Sequence, residues 1–83
     1  MTDPRKAIHQ KIIELAKRLG NDASSLGYHD SIPDRGALDS PGLLELIMWF
    51  ENEFNLEIEQ EELTLENFGT IDAMASYAEK AGA

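Results

Sequence analysis

The 83-residue chain reads as all-α: a four-helix bundle with a short third helix and a long loop between helices one and two. Three observations predict this. Apolar residues recur every three or four positions in separate stretches, the spacing that places them on one helix face. Residues suited to capping stand just ahead of the main stretches. Finally, no pair of alternating apolar runs flanks a tight-turn dipeptide, so nothing reads as a β-hairpin.

The elements follow in order. Asp3 is a good N-cap and Pro4 suits a first helical position, where its missing N–H costs nothing. Ile8, Ile12, Leu15, Ala16 and Leu19 then share one face, and Gly20 ends the first helix. Residues 21–39 are loop-like, with Gly27, Pro33, Gly36 and many Asn, Asp and Ser. Loops that long are usually functional or disordered. Leu26, Tyr28, Ile32 and Leu38 are the residues expected to pin this one to the core. The second helix is predicted from Ser40 to Phe54, with Pro41 and Gly42 tolerated in its first turn. Leu43, Leu46, Ile47, Phe50 and Phe54 form its apolar face, opposite Pro41, Glu45, Met48, Trp49 and Asn52. Residues 55–60 are extended or turn-like, with Leu56 and Ile58 pointing inward by alternation. A short third helix is predicted over Glu61–Asn67, carrying Leu63 and Leu65. Phe68-Gly69 breaks it, and Thr70 caps a last helix containing Ile71, Met74, Ala75 and Ala78 and running to Lys80. Residues 1–83 form a single domain without internal repeats.

Charge divides the chain. Residues 1–36 carry six basic and five acidic side chains, a net of +1, whereas residues 37–83 carry one basic and eleven acidic, a net of −10. Phosphate backbones and anionic membranes need cationic surfaces, so neither nucleic acid nor membrane is expected as a partner. A basic protein surface is the natural complement. The chain has no cysteine, which rules out disulfides and thiolate metal sites and fits a cytoplasmic setting. No apolar run nears the roughly 20 residues that cross a bilayer. The opening Met1–Lys6 is followed by no apolar stretch, so no signal peptide is expected.

Asp39-Ser40 is the pair around which function is expected. A serine hydroxyl at a helix N-terminus behind a polar loop is exposed, and it suits attachment of a group by another enzyme better than chemistry of its own. The dipeptide alone is an ordinary helix cap. Its downstream register carries the weight: Glu45-Leu46 five and six residues on, acids at Glu51 and Glu53, then Phe54, Ile58 and the Phe68-Gly69-Thr70 break. In this register residues 36–80 resemble the 4'-phosphopantetheine attachment site of the acyl carrier protein family. The resemblance implies that a phosphopantetheinyl transferase moves the arm from coenzyme A onto Ser40, beside Asp39. It implies a non-catalytic monomer that shuttles a thioester-bound acyl or aminoacyl group from a loading ligase or acyltransferase to a downstream transferase or synthase. Gly42 and the spacing from Leu56 through Phe68 to Thr70 look like the D-alanyl carrier branch, in which an adenylating ligase loads an amino acid. Pro41 departs from both that branch and the fatty-acid carriers, and fatty-acid, polyketide or nonribosomal-peptide cargo stays open.

Glu45, Met48, Glu51 and Glu53 match the positions at which the family presents its partner-docking helix, and the helical wheel adds Trp49 and Asn52 to one exposed strip with Glu45 and Met48, flanked by Glu51 and Glu53. Exposed Trp and Met are typical of binding surfaces. The alternative is an unmodified acidic helical adaptor that binds a basic partner through Met48 and Trp49. His9 and His29 are read as surface and loop residues. Asp30 and Asp34 suggest a calcium loop, but Ile32, Arg35 and Pro41 stand where that loop needs a ligand, a glycine and a glutamate.

Eleven acids crowded into residues 37–83 repel one another. Added salt therefore raises the melting temperature by several degrees between low and moderate ionic strength. Calorimetry showing a flat or falling midpoint over that range would mean that the charges are compensated within the fold.

Overall fold

The cap at Asp3 works as its sequence predicts. In the computed structural model, which describes residues 3–81, the Asp3 carboxylate accepts the Arg5 backbone N–H at 3.0 Å and opens helix α1, Pro4–Arg18. The Arg5 guanidinium donates to the same carboxylate and holds it below the usual aspartate range. At the other end Gly20 takes the left-handed φ of 79°, while its N–H and that of Asn21 return to the carbonyls of Lys17 and Ala16. Helix α2, Ser40–Glu53, ends the same way. Asn55 stands at φ 54°, and the Leu56 N–H reaches the Glu51 carbonyl at 2.8 Å. Asparagine is among the few non-glycine residues at ease in that conformation.

The predicted third helix over Glu61–Asn67 is replaced by two shorter pieces, a 3-10 turn at Gln60–Glu62 and a one-turn helix α3, Leu65–Phe68. Thr64 is the reason. Its hydroxyl accepts the Asn67 N–H at 3.3 Å, so it acts as a cap and starts a new helix where a continuous one would need it in the middle. Leu63 and Leu65 consequently lie largely in solvent, 40% and 71% exposed. Thr70 caps the last helix, α4, Ile71–Lys80, through an Ala73 N–H bond of 3.0 Å.

The bundle closes because α1 packs against both α2 and α4, and α3 against α4. Ile8, Ile12 and Leu15 of α1 meet Leu46 and Phe50 of α2 and Ile71 and Met74 of α4 in one buried cluster. Burying each such side chain is worth about 1.5–3 kcal/mol. Phe50 sits at the centre, its ring 4.9 Å from Phe54, 5.7 Å from Phe68 and 6.4 Å from Tyr77. The long loop is held by Ala23, Leu26, Ile32, Ala37 and Leu38, all buried, with Tyr28 packed against them. Two backbone bonds tie it to the turn before α4: the Ile32 N–H to the Gly69 carbonyl at 2.8 Å, and the Asp72 N–H to the Tyr28 carbonyl at 2.9 Å. His9, half-buried, sets Nε2 3.0 Å from the Ala23 carbonyl and adds a third tie.

The acids are unevenly served. Glu45 and Asp72 pair with cations of the N-terminal half. None of the seven glutamates from Glu51 to Glu66 forms an ion pair among the described residues. The nearby Glu62 carboxylate as acceptor, partial burial and the negative field of Glu62, Glu59 and Glu51 raise the Tyr77 phenol above its ordinary range.

Gly69 carries a constraint of its own. A Cβ there would collide with the Leu65 carbonyl oxygen, to which the Gly69 N–H is already bonded. Gly69→Ala should therefore destabilise the fold by about 1–3 kcal/mol, as overpacking does. Urea unfolding followed by the fluorescence of Trp49, the single tryptophan, measures this, and an unchanged midpoint would contradict the packing described.

Candidate functional site

The N-terminus of α2 is built around Asp39. Its Oδ1 accepts the Gly42 N–H at 2.8 Å, and its carbonyl accepts the Leu43 N–H at 2.9 Å. Pro41 has no N–H to satisfy, so the first turn closes without strain. Glycine at 42 has a local cause. A Cβ there would stand 2.9 Å from Asp39 Oδ1 and 3.3 Å from the buried Leu38 side chain. Gly42 thus makes room for the cap and for the residue that anchors the loop.

Ser40 follows directly, exposed in the first helical position. Its hydroxyl has no intramolecular hydrogen bond among the described residues. The carboxylate beside it is committed to the helix cap, and no histidine is placed to take its proton. The hydroxyl can accept a group delivered from outside, whereas nothing near it would make it a nucleophile unaided. The positive end of the α2 dipole lies at this point and favours an attached anion.

Apolar grooves flank α2. One, of about 410 Å3, lies between α1 and α2 beside Ser40 and is lined by Leu15, Leu19, Pro41, Leu44 and Met48, with Arg18, Asp39 and Glu45 along its polar edge. The other, about 160 Å3, lies toward α3 between Pro33, Leu43, Ile47, Leu63, Leu65 and Phe68. A cluster of three or more His, Asp or Glu side chains arranged to hold a metal is absent among the described residues.

The predicted docking residues separate into two groups. Glu45, Met48 and Asn52 form an exposed strip running from Ser40, with Met48 61% exposed. Trp49 does not join it. It packs against the core edge, edge-to-face with Phe54 at 6.1 Å, over a shallow groove shared with Lys11, Glu14 and Glu53. The buried centre of α2 is Leu46 and Phe50, and at about 100° per residue Trp49 falls only about 80° from it, on the flank and not opposite. Glu51 has an internal partner: its carboxylate accepts the Ile58 N–H at 3.0 Å and fastens the extended segment after α2. Glu53 is exposed on the Trp49 side.

The prediction from sequence missed three residues. Leu44 is 57% exposed and Leu19 44% exposed, both beside the groove next to Ser40. Arg18 reaches across to Glu45 at 3.3 Å. The Leu43-Leu44 doublet was the available signal, since at about 100° per residue Leu44 falls well away from the buried centre at Leu46 and Phe50.

The chain is similar to known proteins over most of its length. The family described as the phosphopantetheine attachment site matches residues 10–78. An acyl carrier protein of Bdellovibrio bacteriovorus is 38% identical over 77 residues, covering 92% of this chain and 96% of that protein. A D-alanyl carrier protein of Streptococcus pyogenes serotype M5 is 30% identical over 74 residues, covering 89% and 94%.

Asp39→Ala removes the α2 cap and should cost about 0.5–2 kcal/mol, whereas Asp39→Asn, another good cap, should cost much less. Urea midpoints compare the two, and equal losses would show that the side chain does not cap the helix.

Proposed function

Because the chain belongs to the phosphopantetheine-attachment family of carrier proteins, we infer that Ser40 Oγ is the atom that receives 4'-phosphopantetheine from coenzyme A. The chain is a carrier and not an enzyme. One observation supports the choice of Ser40 above all: its hydroxyl is exposed and unbonded at the start of α2, while Asp39 is occupied as the cap. The group fits there, since an arm leaving Ser40 points into solvent and its phosphate meets the positive end of the helix. When bound, the arm supplies a terminal thiol that holds cargo as a thioester. The chain's own residues contribute position and inertness. The cap fixes Ser40 on a rigid helix end, and the absence of cysteine leaves no thiol to compete for the cargo.

The surface beside Ser40 supports docking by a basic partner. Glu45 offers charge, Met48 and Leu44 offer exposed apolar area, and Asn52 extends the strip. The partners proposed are a phosphopantetheinyl transferase, a loading enzyme and a downstream transferase or synthase. Trp49 packs at the core edge and Glu51 fastens the segment after α2, while Glu53 stands exposed on the Trp49 side, so these three flank the strip. An unmodified adaptor would leave the exposed serine and the family register without a purpose. For cargo, the Gly42 register and the likeness to D-alanyl carriers favour an amino acid or other small acid loaded by an adenylating ligase. The higher identity to an acyl carrier protein favours an acyl group as the second reading.

Intact-mass analysis after incubation with coenzyme A and a broad-specificity phosphopantetheinyl transferase should show one phosphopantetheine addition, lost in Ser40→Ala. Addition at Ser24, Ser25 or Ser31 would overturn the site. On the holo protein, thioester formation by an adenylating ligase supports the small-acid cargo. Robust malonyl or long-acyl exchange without ligase-dependent loading moves the chain to the acyl branch.

A further inference from the structure

Glu45, the first acid of α2 beyond Ser40, is already engaged. Arg18, the last residue of α1, sets Nη1 3.3 Å from Oε1 and 3.4 Å from Oε2 of the same carboxylate. The two residues are 27 positions apart, so the pair is tertiary. Both side chains are more than half exposed, at 58% and 54%. It also crosses the edge of the groove formed by Leu15, Leu19, Leu44 and Met48. Farther along, the glutamates from Glu51 to Glu66 have no cation among the described residues. The chain therefore pairs the first acid of α2 with a cation and leaves the glutamates from Glu51 to Glu66 without one among the described residues.

An exposed pair of this kind contributes about 0–1 kcal/mol, too little to hold α1 to α2 when the buried core already does so. Such a pair is readily exchanged for an equivalent one. We propose that Arg18 is an internal competitor for Glu45: its guanidinium occupies the carboxylate that an arginine or lysine of the transferring enzyme must reach, and so weakens docking at the Ser40 end of α2. The proposal rests on the reading that a basic enzyme surface docks there. When a partner's cation takes Glu45, the freed Arg18 side chain no longer spans the groove edge, and the partner's apolar side chains can reach the exposed Leu44 and Met48 across it. A carrier that must leave each enzyme after use gains from contacts that are specific and quickly reversed.

Steady-state kinetics of phosphopantetheine transfer from coenzyme A, with a broad-specificity phosphopantetheinyl transferase as the probe enzyme, test this. The carrier is varied as the substrate at low salt. Arg18→Gln should lower KM about two- to fivefold, the factor an exposed pair represents, with kcat unchanged. Glu45→Gln should raise KM. The double variant should match Glu45→Gln, because Arg18 acts through that carboxylate. Lys17→Gln, which removes a neighbouring exposed cation outside any ion pair among the described residues, reports the effect of net charge alone and should lower KM far less. A KM unchanged or raised by Arg18→Gln overturns the proposal. So does a gain that persists in the Glu45→Gln background, or one that Lys17→Gln reproduces. Circular dichroism and Trp49 fluorescence confirm that each variant is folded. Full modification at Ser40 with KM indifferent to Arg18 sinks this inference and leaves the attachment site standing. No modification of the unaltered chain at Ser40 sinks both.

Discussion

Two backbone hydrogen bonds govern where Ser40 stands. The loop between α1 and α2 is long enough to wander, and its residues are mostly polar. It is stopped by the turn before α4, where Gly69 offers its carbonyl to Ile32 and Tyr28 offers its own to Asp72. The second bond serves both partners. A helix leaves its first N–H groups without intrahelical acceptors, and α4 solves this by capping Ala73 with Thr70 and bonding Asp72 to the loop. With Ile32 buried at the tether, the chain reaches Leu38 in register to bury it too, and the next residues, Asp39 and Ser40, emerge at the surface as the cap and first residue of α2. The exposure of the serine thus depends on order in the loop behind it.

Charge and packing are segregated within the same molecule. The core is built from α1, the inner faces of α2 and α4, and the loop anchors, and it contains no buried polar or charged side chain among the described residues. The acids lie outside it, on α2 and the segment leading to α4. Their mutual repulsion costs stability that the core must offset, yet it creates the field that draws a basic partner toward the α2 surface. Glu45 is paired with Arg18 within that field, and Glu51, still charged, is fixed in place by its bond to the Ile58 N–H. What looks like a uniform acidic stretch in the sequence is therefore three populations, one structural, one held in reserve and one free.

Much of this was legible in the residues themselves. Asp3 with Pro4, Asp39 with Pro41 and Gly42, and Thr70 mark helix starts through local chemistry that needs no tertiary context. The position of Ser40 and the exposure of Glu45, Met48 and Asn52 follow from the same logic. The failures share a cause. Thr64 could be read as an interior residue or as a cap, and only the packing of Phe68 under α4 decides for the cap. Trp49 lies at the margin of the helical wheel, where a large ring folds back onto the core and a small polar residue would not. The Glu51–Ile58 and Arg18–Glu45 contacts join residues whose proximity exists only once the chain has turned. Gly42, read as a mark of a carrier branch, has a steric explanation at its own site in the approach of Asp39 and Leu38.

Hydrogen exchange at single residues tests most directly whether the tethered loop holds Ser40 in place. Amides that open only when the whole fold opens exchange with the global unfolding free energy, whereas loop amides exchange far faster. NMR-detected exchange should find the Ile32 and Asp72 amides as protected as those of Ile12 and Phe50 in the core, and the exposed Ser24 and Ser25 unprotected. Protection at Ile32 and Asp72 no greater than at Ser24 and Ser25 would mean that the loop is not tied to α4, and that the placement of Ser40 has another origin.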